Sequence, residues 1–79
     1  MNIKKQIMTD VIYHIRVKGL LDEKWTAWFD GFAISWIGQD ETVLTGRVRD
    51  QAALHGILNK VRDLGLDLLL IKRIEEKDD

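Results

Sequence analysis

The side chains in this chain best suited to chemistry are cationic and come at every second position. In VIYHIRVK, residues 11 to 18, His14, Arg16 and Lys18 alternate after Ile12, and in TVLTGRVR, residues 42 to 49, Val43, Arg47 and Arg49 keep the same period. An extended strand turns alternate side chains to one face. Two such strands side by side would lay a positive stripe across a sheet, and guanidinium groups match the oxygens of phosphate. RNA-recognition sheets hold single-stranded RNA on their central strands in this way, but they also stack bases on aromatic residues there. TVLTGRVR contains no aromatic residue. A solvated polar face is the plainer account, and nucleic acid is not an expected partner.

The second concentration is aromatic. KWTAWFDGFAISW, residues 24 to 36, holds all three tryptophans and both phenylalanines of the chain. Trp25, Trp28 and Trp36 could rim a pocket for a flat small ligand, because indole offers a broad face and one N–H donor. Most of these aromatics also fall where a short helix and the strand after it would face inward, so the same residues are expected to build the core.

Covalent and metal chemistry are poorly supplied. Cysteine is absent and Ser35 is the one serine, with no cue for a base or an oxyanion hole. His14 and His55 have no neighbours at metal-ligand spacing, and no glycine-rich phosphate loop occurs. The reading is of a non-enzyme with no cofactor and no metal.

The elements that must carry these groups follow from period and punctuation. Val11, Tyr13, Ile15 and Val17 share one face of a first strand that Gly19 ends. Leu21, Trp25, Trp28 and Phe29 are spaced as one stripe of a helix of about two turns, with Asp22 as its cap and Gly31 as its stop. Phe32, Ile34 and Trp36 then alternate in a second strand. GQDE turns the chain into a third, with Thr42, Leu44, Gly46 and Val48 on one face. Asp50 should cap a longer helix striped by Leu54, Ile57, Leu58, Val61 and Leu64 and stopped at Gly65. LDLLLIKRIE makes a last apolar strand, with either Leu69 and Ile71 or Leu68, Leu70 and Ile74 turned inward. Residues 1–10 are expected to be a flexible lead-in, 11–75 a single α+β domain, and 76–79 an acidic tail.

The order strand, short helix, strand, strand, helix, strand suits a ferredoxin-like four-stranded antiparallel sheet with both helices on one face. In addition, YHIRVKGLL, WTAWFDG and above all DQAALHGILNKVRDLGL make the chain resemble a family of small stand-alone prokaryotic proteins of similar length. The resemblance runs from Tyr13 to Ile74 and is most specific from Asp50 to Leu66. It implies a fold, and it brings no activity and no site residue with it.

Twelve basic against thirteen acidic residues give a net charge of -1, so no overall field draws the chain to nucleic acid. An apolar share of 46% with 32% charged residues marks a foldable globular chain. No stretch approaches a membrane span or a signal peptide, and cytoplasmic residence is expected.

Two surfaces remain as candidates for a partner. One is the sheet face not covered by helices, with Ile12, His14, Arg16, Lys18, Val43, Arg47 and Arg49 and the outward residues of the last strand. The other is the outer side of the long helix, where Ala52 precedes Gly56 by one turn and a mid-helix glycine would admit another backbone. The expected function is self-association, most simply as a homodimer through the open sheet face or an edge strand, or docking to another protein. The alternative is a small-ligand sensor rimmed by tryptophan.

Overall fold

Val11, Tyr13, Ile15 and Val17 do form one face of a strand. In the computed structural model, which describes residues 11–74, this is β1, Val11–Lys18. Ile15 and Val17 are fully buried and Val11 and Tyr13 half-buried. The other strands are β2, Ala33–Ile37, β3, Glu41–Val48, and β4, Asp67–Ile74. They make one sheet in the order β2-β3-β1-β4, and every neighbouring pair runs antiparallel. Helix α1, Gln51–Asp63, packs Ile57 and Val61 onto Ile15, Leu44 and Val48. The fold is therefore α+β, a four-stranded antiparallel sheet with one α-helix. The lead-in 1–10 and the tail 76–79 lie outside the described residues.

Helix α1 is bounded as its sequence requires. Asp50 accepts a hydrogen bond from the Ala53 N–H at 2.8 Å, satisfying one of the donors a helix start leaves open. At the other end Gly65 takes φ +74°, which a side chain would resist. Its N–H reaches the Arg62 carbonyl at 2.9 Å, and that of Leu66 reaches Val61 at 3.2 Å. This paired pattern closes the last turn and points the chain into β4.

The first crossover departs from expectation. Instead of a two-turn α-helix there is a single 3-10 turn, Glu23–Thr26, followed by turns through Gly31. Asp22 caps it as foreseen, accepting from the Lys24 N–H at 3.1 Å. Only eight residues lie between Asp22 and Gly31, too few to recover the cost of nucleating an α-helix. The Phe29 N–H is accordingly shared between the carbonyls of Trp25 and Thr26, each at 3.1 Å. The stripe is also narrower than its spacing suggested. Phe29 and Leu21 are buried and Trp25 half-buried, while Trp28 is 41% exposed.

Contacts from elsewhere hold this irregular segment. Phe32 lies over Gly46 of β3 so closely that a Cβ there would sit 2.6 Å from the ring's Cγ and 2.7 Å from Cε1. Thr42, fully buried, donates from Oγ1 to the Gly19 carbonyl at 2.7 Å and accepts from the Leu21 N–H at 3.1 Å. Lys60 of α1 donates to the Trp28 carbonyl at 2.9 Å, and its ammonium stands 5.2 Å from the Trp28 ring centre.

Gly46→Ala should therefore destabilise the fold by about 1–3 kcal/mol, the usual cost of forcing an extra methyl into a packed core. Thr42→Val should cost about 1–3 kcal/mol by leaving the Leu21 N–H and Gly19 carbonyl unpaired. Urea unfolding of both variants against wild type measures these costs, and an unchanged midpoint for either contradicts the role given to that residue.

Candidate functional site

The face of the sheet opposite α1 brings together most of the residues singled out by alternation. Along β1, Ile12 lies opposite Arg47, His14 opposite Thr45, Arg16 opposite Val43 and Lys18 opposite Glu41. On the other side of β1, Ile12 meets Ile74, His14 meets Lys72 and Arg16 meets Leu70. Arg49 falls just beyond the end of β3.

This face is less basic than its sequence implied. Arg16 Nε is bonded to Glu41 Oε1 at 2.9 Å, and Lys18 Nζ lies 3.8 Å from Asp40 Oδ2. The Arg16 partner follows from register, because Glu41 is the next residue of β3 on the same face as Val43. Val43 itself is only 7% exposed. It was expected as an outward apolar contact, but it lies on a central strand between Ser35 and Arg16. The arginine reaching diagonally to Glu41 shields it.

An unbroken run of exposed apolar residues lies on β4, the outer strand beside β1. Leu68, Leu69, Leu70 and Ile71 are 45%, 44%, 42% and 37% exposed. Both alternatives for the inward set are partly realised, because the register slips. Ile71 lies opposite Ile15 and Leu70 opposite Arg16, but Leu68 lies opposite Val17, leaving Leu69 with no residue facing it. Such a one-residue insertion is a β-bulge. The apolar run is thus presented on both faces, because α1 does not reach far enough to cover the side it packs on. Among the described residues no strand pairs with the outer edge of β4, which offers its backbone groups there.

The helix candidates lie apart from this surface, on α1 and hence on the other side of the sheet. Ala52 is exposed and Gly56 half-buried, and a Cβ on Gly56 would meet nothing within 4 Å. Among the described residues no other backbone approaches it.

The tryptophans do not share one pocket. Trp25 and Trp28 meet edge to face with ring centres 6.2 Å apart. Trp36, 46% exposed, instead donates its indole N–H to the Leu21 carbonyl at 2.8 Å. With Leu20, Leu21, Asp22 and Gly38 it lines an open, largely apolar cleft of about 330 Å³. A second cavity of about 200 Å³ lies between the start of α1 and the end of the sheet, among Tyr13, Leu54, Arg49 and Arg73. Among the described residues no three His, Cys, Asp or Glu side chains gather as a metal site, and no helix is long and apolar enough to cross a membrane.

Sequence reasoning passed over Thr42 and Lys60. A threonine alternating with apolar residues at a core position was a readable signal for the first. Nothing local marks Lys60, whose partners are 32 and 30 residues away.

Because Gly56 has open space around it, Gly56→Ala should raise stability by about 0.5–1 kcal/mol through helix propensity alone. Thermal unfolding at several protein concentrations checks this. A loss of stability confined to concentrations where the chain self-associates would instead place Gly56 at a contact between copies.

A family model described as Domain of unknown function (DUF8691) matches residues 12–72, in keeping with the resemblance to a small family without an assigned activity. No curated protein and no solved structure matches the chain.

Proposed function

The chain belongs to the DUF8691 family, whose model matches residues 12–72, and we propose that it is a non-catalytic association module working as a homodimer through β4 and the adjoining open sheet face. The observation that carries this reading is the exposure of Leu68, Leu69, Leu70 and Ile71 along one edge strand. A contiguous apolar patch of this kind on a chain of 79 residues favours burial against another surface. A two-fold pair of identical copies is the simplest closed arrangement that covers it. Ile12, Ile74 and Leu70 would supply apolar contacts on the open face, with His14, Arg47 and Lys72 around them. The biological role would be regulatory or adaptor-like.

We read the architecture itself as a ferredoxin-like sheet whose first crossover has shrunk to a 3-10 turn. The strand order and the antiparallel pairing of all neighbours support that reading.

The cleft at Trp36 favours a second reading, a sensor of small apolar ligands. Indole emission separates the two, because ligand entry beside Trp36 shifts its spectrum whereas pairing at β4 leaves that environment unchanged.

Native mass spectrometry over a concentration series should give twice the 9.2 kDa chain mass, and Leu70→Lys should return the chain to a monomer with unchanged circular dichroism. A wild-type monomer at every concentration contradicts the proposal.

A further inference from the structure

The cavity between the start of α1 and the end of the sheet has the α1 side of the sheet as its floor. Tyr13 and Arg73 stand directly opposite one another on β1 and β4, and Val11 stands opposite Val48 on β1 and β3. Arg49 follows Val48 just past the end of β3. The two arginines therefore come from the strands on either side of β1. Gln51 and Leu54 of α1, with the capping Asp50, complete the lining.

The balance of charge in this space is positive. Among the described residues Asp50 supplies the only carboxylate of the lining, and its Oδ1 already accepts the Ala53 N–H. Among the same residues the side chains of Arg49, Arg73 and Tyr13 make no hydrogen bond or ion pair. Guanidinium does not lose its proton in proteins. Two such groups against one carboxylate leave one positive charge in excess, together with a phenol hydroxyl free to donate.

The walls narrow the class of anion. Val48 is buried, and Val11, Tyr13 and Leu54 are half-buried, so aliphatic and aromatic surface borders the same space as the two arginines. Inorganic phosphate would leave that surface uncovered, and a phosphate monoester brings about 1.5–2 negative charges at neutral pH, more than the single charge in excess. A carboxylate brings one charge and accepts a guanidinium fork through both of its oxygens. The volume of about 200 Å³ lies below the roughly 300–1,000 Å³ of pockets that enclose drug-sized molecules. The body attached to the carboxylate must be small.

We propose that this cavity binds a small organic carboxylate, held by Arg49 and Arg73, with its apolar body on the Tyr13 ring and against Val11, Val48 and Leu54. The site lies on the α1 side of the sheet, so it stands apart from the association reading for the open face.

Benzoate is a suitable probe, because benzamide and benzamidine keep its shape while removing or reversing its charge. In proton–nitrogen correlation spectra of the full chain, benzoate should produce saturable shifts at Tyr13, Leu54 and Arg73. Benzamide should bind at least about tenfold more weakly, since it forgoes the charge-assisted hydrogen bonds, and benzamidine should not bind. Arg49→Gln and Arg73→Gln should each weaken benzoate about tenfold. Their circular dichroism should match wild type, because both side chains are exposed and hold nothing else in place. Benzamide binding as tightly as benzoate overturns the proposal by showing a site that reads only apolar surface. Inorganic phosphate binding as tightly as benzoate overturns the choice of a carboxylate with an apolar body. Shifts centred on Trp36, or none at all, overturn the site itself.

Discussion

The closeness of Phe32 to the backbone of Gly46 is the constraint on which the rest of this small fold turns. A glycine inside a central strand gives up side-chain packing and conformational preference. Here the vacancy is filled by a phenyl ring from just before β2, buried to 3% exposure, and the apolar area of an aromatic ring outweighs what the strand loses. That ring and Phe29 occupy space above the sheet that a fuller crossover helix would take. The inward row of β3 therefore carries a sequence of distinct tasks: Thr42 ties down the start of the crossover, Leu44 packs, Gly46 recedes, and Val48 packs again under α1.

How much of this could be read in advance depended on whether the cause was local. Alternation from Val11 to Val17 and the stripe from Leu54 to Leu64 with its Asp50 cap each belong to one segment, and both elements formed as expected. The helix expected near Trp25 had the right spacing but too little length, so tertiary contacts decided its form. The sheet face was legible as a set of residues and misjudged as a surface. Its cations were counted without the carboxylates that register brings beside them, and Val43 was assigned by parity alone without the crowding of a central position. The exposed last strand was foreseen because two readings of its register both left aliphatics outside, but the bulge at Leu69 has no mark in a run of three leucines.

The electrostatics of the open face bear on recognition more than on stability. Arg16 and Glu41 are 38% and 23% exposed in their side chains, and pairs this accessible to water contribute little to folding. Their effect is to cancel charge in the middle of the sheet. What remains is a face of mixed character whose apolar weight shifts toward β4, so attraction for polyanions is reduced where contact with another apolar surface is greatest.

The position of β1 has a consequence for how the chain is made. Its two neighbours both come later in the sequence, one finished only at Val48 and the other only at Ile74. During synthesis the central strand thus waits, with Ile15 and Val17 uncovered, until most of the chain exists, and its ladders can close only across long intervening segments. The last eight residues of the described fold complete the sheet around its own first strand, so this domain gains its native order nearly all at once, only when Asp67–Ile74 can pair with β1.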